Sequence, residues 1–187
     1  NSGAASIFDA FTNDMKNVPE GKSRMRYIIN HDTASENSPI SLYGGERGAM
    51  AAFVMATMLE GCPLIYSSQE IGYSKSLSFF SNNVMNWDSN KAYTDEYIKV
   101  MAAFNSTRDV RVKDPVFANT GNIAKMTYKN SVGDVLVVMV NTKNEAATVR
   151  VPLDVVGKKV TDLMTGNTVT PEASIDMEPY QYLIYRK

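Results

Sequence analysis

The sequence predicts two fold classes in series: an α/β part over residues 1–112, read as the closing portion of a (β/α)8 (TIM) barrel, then an antiparallel β-sandwich over 113–187. Three observations predict it. Helical apolar patterns alternate with short continuous apolar runs until just before Pro115, and beyond it the pattern has period two with turn signals at short spacing. At 187 residues and 44% hydrophobic, the chain can build one good core or two small ones. The first part offers only two buried-strand runs, whereas a complete barrel needs eight strands and about 250 residues, so it reads as roughly the last quarter of one.

Ile7, Phe8, Phe11 and Met15 recur at helical spacing before Pro19 and Gly21, predicting a helix over 4–17. Tyr27, Ile28 and Ile29 form an apolar run of the kind buried on both faces, with Asn30-His31-Asp32 at its C-terminal end. Residues 48–59, rich in Ala, Met and Leu, predict a buried helix with Gly61 as C-cap. A second buried strand is expected over 63–66, followed by Ser67-Ser68-Gln69-Glu70. Thr94 offers an N-cap, with Asp95 and Glu96 in the first turn and Tyr97, Ile98, Met101 and Phe104 on one face, predicting a helix to about Asn105. Strands are then expected over 123–128, 135–140, 147–151, 160–164 and 182–185, separated by turns at Gly133, Asn144, Gly157 and Gly166.

The charge balance narrows the function. Nineteen Lys and Arg against 20 Asp and Glu leave a net charge of −1, which provides no electrostatic footprint for nucleic acid or an anionic membrane and favours a neutral partner. One cysteine, Cys62, and one histidine, His31, exclude an internal disulfide and a His/Cys zinc cluster. No apolar stretch is long enough for a membrane span. The chain starts at Asn1 without methionine or a signal-peptide pattern, so an excised piece of a longer protein is expected.

In a barrel of this kind the active site lies at the C-terminal ends of the strands, where Asn30-His31-Asp32 falls. A carboxylate beside an imidazole and an amide suits a polyhydroxylated substrate that develops positive charge, as in sugar hydrolysis. Such a triplet alone more often caps a loop and satisfies local backbone groups.

Residues Arg26-Tyr27-Ile28-Ile29-Asn30-His31-Asp32 resemble the fourth conserved stretch of the α-amylase family, glycoside hydrolase family thirteen, whose seventh barrel strand ends in Asn-His-Asp. Gly61-Cys62-Pro63-Leu64-Ile65-Tyr66-Ser67-Ser68-Gln69-Glu70-Ile71-Gly72 is similar to the family's strand-eight segment, departing at Ser67-Ser68, where Tyr-Gly is usual. Phe79-Phe80 and Asn86-Trp87-Asp88 resemble the loop that follows. The resemblance implies that residues 1–112 span about the sixth to eighth barrel helices and that 113–187 are the C-terminal β-domain. It implies Asp32 as the carboxylate that stabilises the oxocarbenium-like transition state, with His31 and Asn30 binding the same sugar. It implies an α-glucan oligo- or polysaccharide as substrate and an extracellular or periplasmic setting. Calcium is common in the family on ligands from regions outside this chain, so no calcium site or other cofactor is expected here.

A retaining glycosidase also needs a nucleophile and an acid about 5–5.5 Å apart, which the family carries on strands four and five. Arg111-Val112-Lys113-Asp114 has the wrong spacing for the nucleophile motif, and Glu36 and Glu46 read as solvated loop carboxylates. The parent is therefore expected to be a glycosidase and the isolated chain inactive, its open strands covered by the rest of the barrel or by self-association. The alternative is a relative of the same fold that binds glycan or protein without catalysis. Gln69 and Glu70 are expected to tie down a loop, Trp87 to be core, and Tyr180, Tyr182 and Tyr185 to pack in the β-domain. Asn105-Ser106-Thr107 matches a glycosylation acceptor, a pattern that also arises often by chance.

Overall fold

Residues 3–187 are described by the structure, a computed structural model. Helix α1 (Ala4–Met15) leads to β1 (Met25–Arg26), the short helix α2 (Pro39–Leu42), α3 (Glu46–Met58), β2 (Cys62–Pro63), a 3-10 turn (Gln69–Ile71) and α4 (Lys91–Ser106). Eight strands follow: β3 (Val116–Thr120), β4 (Ile123–Lys129), β5 (Val135–Asn141), β6 (Ala147–Arg150), β7 (Val160–Asp162), β8 (Thr168–Val169), β9 (Ser174–Met177) and β10 (Tyr182–Arg186). This is an α/β segment running into antiparallel β structure, as the change of period predicts.

Strands β1 and β2 pair in parallel, Met25 opposite Cys62 and Arg26 opposite Pro63. The ladder lies just N-terminal to the expected runs 27–29 and 63–66. Two backbone bonds hold the pair, Cys62 N–H to the Arg24 carbonyl at 2.8 Å and Leu64 N–H to the Arg26 carbonyl at 2.7 Å, and the apolar residues beyond continue without a partner strand among the described residues. Gly61 is not the cap of α3, whose chain turns extended at Leu59. At φ +143° Gly61 lets the chain pass the Arg24 carbonyl, where a Cβ would collide at 2.6 Å. Helix α4 begins one turn before the expected N-cap: the Asn90 side-chain oxygen accepts from Tyr93 N–H, and Thr94 instead donates to the Glu70 carbonyl at 3.0 Å.

The main sheet has the order β3-β4-β5-β10-β7-β8, antiparallel throughout, and β6 and β9 form a separate antiparallel pair. Strands β3, β8 and β9 were not legible in the period-two runs: they are mostly exposed or half-buried, β3 and β9 carry Asn, Ser or Asp, and β8 is only two residues long. Strand β5, Val135-Leu136-Val137-Val138-Met139-Val140-Asn141, is buried at every position, contrary to a sheet with one wet face. Its alternate residues enter two different cores. Leu136, Val138 and Val140 join Phe53, Met50 and Met58 of α3 on one face, whereas Val135, Val137 and Met139 join Val149, Val155 and Met177 on the other. The sheet is thus a middle layer between the helices and the β6-β9 pair, the small sheet of a sandwich.

The helical core crosses from the first part of the chain into the second. Phe8 stacks on Phe117 at 4.4 Å and Phe53 on Tyr97 at 4.2 Å. The Tyr128 hydroxyl donates to the Met58 carbonyl at 2.6 Å, closing the last turn of α3, and Tyr182 donates to Glu96, which also receives Arg47 at 2.7 Å. Tyr182 and Tyr185 pack as expected, but on opposite faces of β10.

Burial raises the phenol pKa of Tyr93, Tyr97, Tyr128 and Tyr182 above the ordinary value of 10.0. The folded state prefers the neutral phenols, so their stabilisation is complete below the unfolded value and is lost as pH rises through and beyond it. The urea midpoint is expected to hold steady up to about pH 9 and to fall steeply above about pH 10. Circular dichroism against pH checks this; a native signal that persists well above about pH 11 with the urea midpoint unchanged would contradict it.

Candidate active site

The two parallel strands fix the geometry. Because β1 and β2 run the same way, the loops leaving their C-terminal ends emerge on one side, and these carry Asn30-His31-Asp32 and Ser67-Ser68-Gln69-Glu70. Asn30 is buried, and its side-chain oxygen accepts from Asp32 N–H at 3.1 Å, Thr33 N–H at 3.1 Å and the Thr33 hydroxyl at 3.0 Å. Thr33 returns the contact by accepting from Asn30 N–H at 3.2 Å. This reciprocal cap spends the Asn30 oxygen on holding the turn, the role such a triplet most often has. Thr33 escaped the sequence reading, although an Asn followed three residues later by Thr is the signature of such a turn.

His31 and Asp32 are left facing solvent, with side chains 74% and 75% exposed and His31 Nε2 3.2 Å from Asp32 Oδ1. The turn therefore presents one carboxylate and one imidazole at the strand end, with the Asn30 oxygen beneath it holding the backbone. Ile29, Ala34 and Leu77 form a small core under the turn, and Leu77 N–H donates to the Ala34 carbonyl at 2.7 Å. That bond ties the 74–90 loop to the His31-Asp32 turn.

No family model matches the chain. A curated cyclomaltodextrinase of Geobacillus thermopakistaniensis (strain MAS1) is 27% identical over 155 residues, which is 78% of this chain and 26% of that protein. An α-amylase from Lactobacillus plantarum superposes at a TM-score of 0.82 with 21% identity, covering 100% of this chain and 43% of its own. The chain's fold is that of α-amylases. AmyP, solved in complex with maltotriose, superposes at 0.71 with 14% identity over 95% of this chain and 44% of its own. The chain thus spans about a quarter of the curated relative's length and less than half of these solved chains.

Other residues of the chain sort by environment. Ser68, where the resembled motif has glycine, sits at φ +69°, the left-handed conformation that glycine takes without strain. Gln69 is 2% exposed, and among the described residues both its side-chain polar atoms lack a hydrogen-bond partner, as does the Tyr97 hydroxyl. The Gln69-Glu70 loop is instead tied by its backbone, through Tyr73 N–H to Ser68 and Thr94 to the Glu70 carbonyl. Trp87 is not core: it is 53% exposed, Phe79 52% and Phe80 99%. Bulky rings invite a core assignment, but the amide- and hydroxyl-rich sequence around them makes a surface loop.

Glu46 sits in the first turn of α3 and accepts from the Asn90 side chain at 2.9 Å. The Asn105-Ser106-Thr107 triplet lies at the end of α4 with Asn105 exposed and Thr107 fully buried, its hydroxyl donating to the Ala103 carbonyl at 2.8 Å. Among the described residues no group of three or more His, Cys, Asp or Glu is arranged to hold a metal ion, and no helix is long and apolar enough to cross a membrane.

Proposed function

We propose that residues 1–112 are the closing portion of a (β/α)8 catalytic barrel and 113–187 the β-domain appended to it, in a retaining glycoside hydrolase acting on α-glucans such as starch or maltooligosaccharides. The observation that carries this reading is the exposed His31-Asp32 pair, set by Asn30 at the C-terminal end of a parallel strand. The fold shared with α-amylases and the maltotriose complex of AmyP support it.

In this reading Asp32 holds a fixed negative charge beside the sugar ring. Positive charge develops at the anomeric carbon and ring oxygen as the glycosidic bond breaks, and a preorganised carboxylate stabilises it more than it stabilises the neutral substrate. His31 hydrogen-bonds a hydroxyl of the same ring and keeps it in register. The nucleophile and the general acid come from strands outside this chain, and one carboxylate cannot replace them. Those strands, or a second copy, also cover the open edges of the β1-β2 pair and the exposed Met25 and Tyr27.

The 187-residue chain alone is accordingly expected to release no reducing sugar from maltoheptaose above blank. A longer polypeptide containing it, extended upstream of Asn1, is expected to do so with retention of anomeric configuration, followed by proton NMR. Turnover by the chain alone would overturn the division of labour, and absence of turnover by the longer polypeptide would overturn the reading.

A further inference from the structure

Tyr180 holds a backbone conformation that a bulky side chain rarely takes. It lies between β9 and β10 at φ +56°, the left-handed region that is unfavourable for a residue with a Cβ. A bond from Gln181 N–H to the Glu178 carbonyl at 3.0 Å closes the turn Glu178-Pro179-Tyr180-Gln181. Proline stands second in that turn and the positive φ third, where glycine is the usual residue. The fold enforces the conformation from several sides. Tyr180 N–H donates to the Lys143 carbonyl at 3.0 Å and Glu178 N–H to the Gln181 side chain at 2.8 Å. The fully buried Asn141 donates its side-chain amide to the Glu178 carbonyl at 3.0 Å. A strained residue that its surroundings hold in place points to a use for its side chain.

That side chain reaches from the β-rich part of the chain onto the start of α3. A Cβ on Gly44 would stand 2.9 Å from the Tyr180 hydroxyl oxygen, and one on Gly48 3.2 Å from the Tyr180 Cζ, so the ring is seated on two residues without side chains. Gly48 also lies against the Tyr43 carbonyl, where a Cβ would collide at 1.8 Å. Tyr43 is thereby held between this seat and the strand that leads to the site. Its hydroxyl donates to the Ile28 carbonyl at 3.2 Å, two residues before Asn30. Tyr180, Tyr43 and Ile28 all pack on the same core. We propose that Tyr180 is a positioning residue for the His31-Asp32 turn, transmitting the placement of the β9-β10 turn to the strand end through the Gly44-Gly48 seat and Tyr43. The consequence for turnover rests on the α-glucan reading of Asp32, whereas the link itself is one of packing and hydrogen bonding.

His31 is the only histidine of the chain, so its imidazole proton resonance reports on the turn without ambiguity. The experiment compares that resonance at one pH in the 187-residue chain and in its Tyr180→Gly, Tyr43→Phe and Val155→Ala variants. Tyr180→Gly removes the ring and accepts the positive φ without strain, and Tyr43→Phe removes one hydroxyl. Val155→Ala loosens the other core, to which neither tyrosine belongs. The resonance is expected to be displaced in Tyr180→Gly and Tyr43→Phe and to stay at the wild-type position in Val155→Ala. A wild-type position in either tyrosine variant would overturn the link, and so would an equal displacement in Val155→Ala, which would mean general loosening. Should Tyr180→Gly not fold, Tyr43→Phe decides by the same criterion. In the longer polypeptide, Tyr180→Gly is expected to lower kcat about tenfold with KM little changed, the effect of a slightly misplaced group. An unchanged kcat would overturn the positioning role. Absence of turnover by the unsubstituted longer polypeptide would overturn the α-glucan reading instead, and the His31 resonance would still decide the link.

Discussion

Replacing Asp32 by asparagine in a catalytically complete polypeptide is expected to lower kcat by about 10²–10³-fold, the usual cost of deleting one preorganised electrostatic group. The substitution keeps the shape and hydrogen-bonding reach of the side chain and removes its charge. The 75% exposure of the side chain makes a folding defect an unconvincing cause of the loss, and an unchanged urea midpoint would confirm that separation. KM should change much less than kcat, because the lost interaction is strongest in the transition state. A variant with full kcat would remove Asp32 from the chemistry. Asn30→Ala is a useful comparison, since it loosens the turn that aims Asp32 without touching the charge.

The second large effect is on stability. Phe53→Ala is expected to destabilise the chain by about 3–5 kcal/mol, from lost transfer energy plus the cavity left behind. Phe53 is 1% exposed on α3, stacks on Tyr97 of α4 at 4.2 Å, and shares the core that β5 and β10 close from below. A truncation there cannot be filled from solvent and loosens both helices against the sheet. Equilibrium urea unfolding measures it; a loss below about 1 kcal/mol would mean that the two helices do not pack as described.

The particular residues show why much of this was readable and some was not. Phe8, Phe11, Met50, Phe53, Tyr97 and Phe104 lie at helical spacing and are buried together, so pattern and packing agree. Strand β5 was legible as a strand, but its burial on both faces was not, because Val, Leu and Met at every position are compatible with several partners. Its second partner is the β6-β9 pair, and β9 is the polar-interrupted strand that periodicity misses. The N-cap of α4 was displaced by a turn because Asn90 and Thr94 are both good caps, and tertiary contact with Glu70 gave Thr94 other work.

At the site, the strand-end placement of Asn30-His31-Asp32 was legible from the pattern, whereas the hydrogen bonds by which Asn30 holds the turn were not. Its oxygen serves Asp32, Thr33 and their turn, and residue type alone does not distinguish an amide that meets a sugar from one that holds a loop. The exposure of Phe79, Phe80 and Trp87 could not be read either, because an aromatic residue in a sequence carries no mark of which side faces water.

The most direct test of the central claim is to read the polypeptide sequence immediately upstream of Asn1. A strand-end Arg-x-Asp followed by a later strand-end Glu is the predicted result, supplying the nucleophile and acid that Asp32 needs. Continuation of the barrel pattern with neither carboxylate would contradict the claim and make the same fold a binding protein in which Asp32 has no reaction to serve.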